Sequence, residues 1–160
     1  MEGSQGGLAA VARLEPNYYL HDTVVPRGRL VEVLERIYEI SREQDLVVLN
    51  VFHAGDGNLH PIFAYDRRVD GIMDRVHAAG AGVIKASLDA GGVLTGEHGI
   101  GLEKQPYMSL LFSDEQLAQQ DLVRSVFDPR RLANPMKVIP TGATCGDIQY
   151  LHSVPDGVWA

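Results

Sequence analysis

The chain has 160 residues, with 14 basic and 21 acidic side chains and a formal charge of −7. That length fits one domain, or one domain with a tail, and 45% apolar residues argue for a real core and against wholesale disorder. The acidic balance speaks against a nucleic-acid surface, which needs clustered Lys and Arg. No run reaches the roughly 18 apolar residues of a membrane span, and the N-terminus lacks a charged-then-apolar signal. One cysteine, Cys145, cannot form an internal disulfide, so a reducing, cytoplasmic setting is the simpler expectation.

Residues 1–7 are small, polar and Gly-rich and read as a disordered leader. Tyr18 to Val25 mixes aromatic and β-branched residues before Pro26 and predicts a strand. Arg27 to Ser41 follows helical spacing, with Leu30, Leu34, Ile37 and Ile40 on one stripe. Leu46 to Phe52 is a nearly continuous apolar run, the pattern of a buried strand. Gly55-Asp56-Gly57-Asn58 is the strongest turn signal in the chain, and Leu59 to Tyr65 is the returning strand.

Val69 to Ala90 is helical again, aligning Ile72, Val76, Ala79 and Val83, with Gly80 and Gly82 weakening it and Gly91-Gly92 as its stop. Val93-Leu94 opens a short strand before the Gly-rich stretch from Gly96 to Gly101. Ser113 with Gln116 forms a capping-box pattern for a helix through Val126 that aligns Ala118, Leu122 and Val126, and Asp128-Pro129 ends it. Residues 141–160 read as an irregular tail. The order β-α-β-β-α-β plus an extra helix is that of an α+β, ferredoxin-like domain: an antiparallel sheet with helices on one face.

The hairpin carries the first chemical signal. If Asp56 and Gly57 are the central loop residues, His53 and His60 face each other with Cβ atoms roughly 4.5–5.5 Å apart. A one-residue slip would place them on opposite faces. The end of the second strand, the start of the third and the end of the fourth share one sheet edge, so Glu97 of Gly96-Glu97-His98-Gly99 gathers there if its loop curls over. His53, His60 and Glu97 are a His₂Glu set of catalytic-metal type, suited to Zn²⁺ and also to Fe²⁺ or Mn²⁺. On spacing alone the hairpin reads more readily as ordinary turn chemistry that needs no function. His77 reads as a solvated helix residue, His21 and His152 carry no pattern, and Arg130-Arg131 reads as a solvated or interface pair. The chain has no Gly-x-Ser-x-Gly elbow, Walker loop or Cys-x-x-Cys, and Gly80-Ala81-Gly82 lies inside a helical pattern rather than after a strand.

The blocks from His53 to Pro61 and from Thr95 to Lys104 resemble the two signature blocks of FAD-linked oxidase C-terminal domains. Phe127 to Lys137 resembles the closing block, and Asp22 to Arg27 the first strand. The likeness runs from about Gly7 to Pro140. It is strongest to the FAD-linked subunit of glycolate oxidase, with D-lactate and D-2-hydroxyglutarate dehydrogenases further off. The resemblance implies oxidation of 2-hydroxy acids to 2-oxo acids by a flavoprotein. It puts the metal ligands on His53, His60 and Glu97 and the base beside the substrate on His98, and makes Asn58 and Asn134 candidates to approach the flavin.

Two departures stand out. Met136 occupies a place where the family usually has Gly, so the backbone there is in question. The family's N-terminal FAD-binding domain has no counterpart in these 160 residues. Leu20 stands where the 2-hydroxyglutarate enzymes place a lysine, which favours glycolate or lactate over a dicarboxylate. Residues 8–140 are then a substrate and metal domain that holds FAD poorly and is inactive alone, with an apolar face for a flavin-binding domain or subunit. Its expected partners are that unit and a small 2-hydroxy acid, with no nucleic acid and a membrane only indirectly, through other subunits. Two other readings stay open: an isolated metal- and hydroxy-acid-binding module, and a non-catalytic assembly subunit.

Overall fold

The computed structural model describes residues 11 and 13–140; the leader 1–7, the tail 141–160, Cys145 and His152 lie outside them. The chain divides into two compact units, Met1–His98 and Gly99–Ala160. Among the described residues no helix is long and apolar enough to cross a membrane.

The first unit is α+β. Its strands are β1 (Asn17–Leu20), β2 (Thr23–Val24), β3 (Val47–His53) and β4 (Asn58–Tyr65), and its helices α1 (Leu30–Glu43) and α2 (Ile72–Asp89). A 3₁₀ turn, Arg27–Arg29, leads into α1. All pairings are antiparallel, and β4 is the central strand. One flank holds β3, and the other holds β1 and β2 in a single continuous register, Asn17 opposite Tyr65 and Val24 opposite Asn58. The predicted first strand is therefore real but broken at His21-Asp22. The predicted fourth strand shrinks to one bridge, Val24 to Val93.

Proline chemistry explains the break. His21 N–H donates to the Pro61 carbonyl (2.9 Å), but Pro61 has no N–H to return to the His21 carbonyl. A proline in a central strand costs a ladder bond, and here the loss falls on the β1/β2 flank. The β3 flank keeps its register without interruption from Val47 opposite Ala64 to His53 opposite Asn58.

Alternation along β4 separates two faces. Leu59 and Phe63 join Val33, Ile37 and Ile40 of α1 and Val76, Ala79 and Val83 of α2 in the main core. Ile62 and Ala64 pack with Val11 on the opposite face, beside Leu20, Leu49 and Val51. Each fully buried Ile, Val or Phe contributes on the order of 1.5–3 kcal/mol, so the helix layer supplies most of the unit's stability. The α1 stripe uses Val33 as well as Leu30, Ile37 and Ile40, with Leu34 half-buried; the α2 stripe is as expected. The buried-strand pattern of Leu46 to Phe52 misleads: β3 is an edge strand with Val47 and Phe52 exposed, and β4 is the strand buried on both faces.

The second unit contains a 3₁₀ turn, Gln105–Tyr107, a single helical turn α3 (Met108–Leu111) and α4 (Asp114–Phe127). The capping box is present: Gln116 N–H donates to Ser113 Oγ (3.3 Å) and Ser113 N–H to Gln116 Oε1 (2.8 Å). Leu122 and Val126, expected on a packed face, are exposed together with Val123 and Phe127. Arg124 holds the closing block by donating to the carbonyls of Ala133 (2.6 Å), Asn134 (3.1 Å) and Lys137 (2.9 Å). Asp128 accepts from the N–H groups of Leu132 and Ala133, both at 2.9 Å.

Candidate metal centre

The hairpin closes through a longer loop than expected. Asp56 and Gly57 N–H both donate to the His53 carbonyl at 3.0 Å, so His53 pairs with Asn58 and His60 with Val51. His53 and His60 are thus diagonal rather than directly opposite. The register shift is even, so both stay on the same face, away from the helices. Their ring centroids lie 5.5 Å apart, nearly perpendicular.

Glu97 reaches over both. Its Oε1 stands 3.0 Å from His60 Nε2, 3.9 Å from His53 Nε2 and 3.8 Å from His98 Nε2. The His98 ring stacks on His60 with centroids 5.0 Å apart and planes 19° from parallel. His60 is buried at 6% exposure, while His53, Glu97 and His98 are open to solvent on one side. A buried imidazole at the floor and exposed side chains at the rim leave the cluster open to a small molecule.

The donor set fits a divalent cation. One ligand atom from each of His53, His60 and Glu97 lies within 4.8 Å of the others. Tetrahedral Zn²⁺ with bonds near 2.0–2.1 Å brings such atoms to roughly 3.3 Å, a small inward movement from here. One tautomer of His60 suits a cation. Its Nδ1 is 3.3 Å from the His21 carbonyl, to which Pro61 has no N–H to donate. With Nδ1–H donating there, the Nε2 lone pair faces the Glu97 carboxylate at 3.0 Å. Two lone-pair-bearing atoms at that distance need a cation or a proton between them.

Gly96 allows this approach. A Cβ at Gly96 would sit 2.7 Å from Cγ and Nδ2 of Asn58 and 2.7 Å from Cγ2 of Val24, so only glycine lets the loop lie this low. Asn58 is buried, and among the described residues its Oδ1 has no hydrogen-bond partner. A buried amide oxygen in that state is an acceptor available to a ligand. Asn134 belongs to the second unit and has a positive φ of 43°.

Asp22 is a buried carboxylate to which motif reading gave no role. It is 1% exposed, at the β1–β2 break. Its Oδ2 accepts from Gly96 N–H (2.9 Å), Glu97 N–H (3.1 Å), His98 N–H (3.0 Å) and the Thr95 hydroxyl. The usable signal was an acidic residue inside an otherwise apolar and aromatic strand pattern. His77 is half-buried with its ring 6.3 Å from Tyr19, not a solvated helix residue. Arg131 donates through Nη2 to Asp121 Oδ2 (2.6 Å), so it is held in an ion pair within its own unit rather than simply solvated.

The comparisons with known proteins show the family. The family described as "FAD linked oxidases, C-terminal domain" matches residues 4–138. The chain is 39% identical over 150 residues to the glycolate oxidase subunit GlcD of Escherichia coli (strain K12), covering 94% of this chain and 30% of that protein. It is 36% identical over 142 residues to GlcD of Bacillus subtilis (strain 168), covering 89% and 30%. It is 34% identical over 125 residues to a D-lactate dehydrogenase of Anaerostipes hadrus, covering 73% and 25%. The chain thus spans less than a third of the length of these relatives.

Proposed function

Because the chain belongs to the family of FAD-linked oxidase C-terminal domains, we propose that it is the metal- and substrate-binding part of a flavin-dependent oxidoreductase that converts glycolate or D-lactate to the 2-oxo acid. The observation that carries this reading is the convergence of His53, His60 and Glu97 on one sheet face, their ligand atoms within 4.8 Å, with the His98 imidazole beside them.

His53, His60 and Glu97 hold the cation, Zn²⁺ or alternatively Fe²⁺ or Mn²⁺. When bound, that cation supplies Lewis acidity to a hydroxyl chelated together with its neighbouring carboxylate, and FAD, held by a flavin-binding domain or subunit, supplies the hydride acceptor. His98 is the general base: its exposed Nε2 stands at the mouth of the site and takes the hydroxyl proton. Stacking on His60 fixes the plane of the His98 ring. His60, anchored through Nδ1 to the His21 carbonyl, keeps Nε2 turned to the cation. Asn58 offers its buried Oδ1 to the flavin side, and Asn134 is the corresponding candidate in the closing block. Leu20, in the apolar patch with Ile62 and Ala64, offers no charge to a second substrate carboxylate.

The test is metal content per chain by elemental analysis, on wild type and His60→Ala, after loading with Zn²⁺, Fe²⁺ or Mn²⁺. Near one equivalent in the wild type, lost in the variant, is expected, and glycolate should then bind only to the metal-loaded chain. No bound metal under any of the three loadings would overturn the reading.

A further inference from the structure

A single buried carboxylate touches both halves of the candidate centre. Asp22 Oδ2 collects three successive main-chain N–H groups, from Gly96, Glu97 and His98, at 2.9–3.1 Å, and also the Thr95 hydroxyl. The other oxygen, Oδ1, stands 3.9 Å from Nδ1 of His60. The loop from Thr95 to His98 has no strand ladder, since the bridge to the sheet ends at Val93. Its N–H groups converge on one charged acceptor instead. Charge-assisted bonds to backbone N–H are shorter and about twice as strong as neutral ones. Three in a row fix the direction in which the side chains of residues 97 and 98 leave the main chain.

Asp22 reaches this position through the break that Pro61 makes in the β1–β2 flank. A regular strand would keep residue 22 within its ladder; the interruption frees the turn at His21-Asp22. The same interruption leaves the His21 carbonyl for His60. One irregularity in the sheet thus orients the hairpin histidine and anchors the loop that carries Glu97 and His98.

We infer that Asp22 is the positioning residue of this centre: it sets the Glu97 carboxylate and the His98 imidazole at working distance from His53 and His60, and its charge adds to the negative field that favours a divalent cation. The inference rests on the reading of His53, His60 and Glu97 as metal ligands. Asp22 touches neither substrate nor cation; it acts through the loop and through His60.

The experiment uses the full chain loaded with Co²⁺, whose visible bands report coordination number and geometry, with Zn²⁺ affinity read by competition against a chelator. Wild type should take up about one Co²⁺. If it takes up none, the metal reading itself fails, whatever Asp22 does. If it does, Asp22→Asn should fold cooperatively yet bind Zn²⁺ about 10–100-fold more weakly, the usual cost of losing an outer-shell partner. Its Co²⁺ spectrum should change in band position, and the amides of residues 96–98 should exchange faster. Thr95→Val, which removes a single donor to Asp22, tests the same claim with less risk to folding and should weaken binding several-fold. Asp89→Asn, at an exposed pair with Lys85 on α2, controls for general charge loss and should leave both readouts unchanged. Asp22→Asn and Thr95→Val binding Zn²⁺ within twofold of wild type, with an unaltered Co²⁺ spectrum, would overturn the inference. If Asp22→Asn fails to fold, the Thr95→Val affinity and spectrum decide it.

Discussion

His60 Nδ1 meets the His21 carbonyl at 3.3 Å, and residue 61, a proline, has no N–H to donate to that carbonyl. Pro61→Ala should therefore separate stability from binding. The new N–H at position 61 can donate to the His21 oxygen and complete the ladder, which should stabilise the fold by about 0.5–1.5 kcal/mol. His60 would lose its anchor, and Zn²⁺ affinity should fall about tenfold. Denaturant unfolding and chelator competition measure the two effects. If both move in the same direction, the competition for the His21 carbonyl is not what orients His60.

Gly96 makes a second, steric prediction. Gly96→Ala puts a Cβ 2.7 Å from the Asn58 amide and from Val24 Cγ2, distances that force a shift. Overpacking of this kind typically costs about 1–3 kcal/mol. The loop, not the sheet, should yield, so metal affinity should drop even where unfolding remains cooperative. Adding Asn58→Ala should recover part of the stability by clearing one of the two neighbours. Full recovery would show that Val24 does not matter; no recovery would show that the clash lies elsewhere.

The sequence disclosed the donors better than their geometry. Periodicity located α1, α2 and α4, and the His and Glu blocks named the three side chains that the structure brings within 4.8 Å of one another, because those signals are local. The hairpin register was read two residues out, because a four-residue loop and a two-residue loop share the same Gly-Asp-Gly-Asn letters. His53 and His60 still share a face only because the error was even. Leu46 to Phe52 looked buried on composition, but whether a strand is central or at the edge depends on partners far away in sequence. Asp22 escaped notice for the same reason: its partners at residues 95–98 are more than seventy positions away. The exposed apolar residues of α4 show the converse limit, since a helical stripe does not say what covers it.

Asp66 gives a pH signature. It follows β4 and accepts from Arg68 N–H (2.9 Å), Nε (3.0 Å) and Nη2 (2.7 Å). The bonds from the Arg68 side chain lower its carboxyl pKa from 3.8 to about 2. A carboxyl depressed in the folded state stabilises the fold above pH 3.8 and loses that contribution as pH falls towards 2. Asp66→Asn should thus unfold at lower urea than wild type at pH 6, and the two curves should draw together as pH falls from 4 through 2. The pair is open to solvent, so the gap should be small and should shrink further in 1 M salt. A gap that does not narrow between pH 4 and pH 2 would mean that the side chain acts through shape rather than charge.

Met136, at the place where the family resemblance implies glycine, has the backbone conformation that glycine prefers, with φ at 62°. A side chain in the left-handed region costs roughly 1–2 kcal/mol, against roughly 0.5–1 kcal/mol for the extra freedom of glycine in the unfolded chain. Met136 is mostly exposed, so little burial is lost with its side chain. Its contact with the fold is through the main chain, where its carbonyl accepts from Gln105 Nε2 at 2.9 Å, and glycine keeps that bond. Met136→Gly should therefore stabilise the second unit by up to about 1 kcal/mol. Met136→Val, with a β-branched side chain at the same φ, should destabilise it. Thermal unfolding of the two variants beside wild type reads both signs. A glycine variant that melts lower would mean that the methionine side chain makes a contact worth more than its backbone strain.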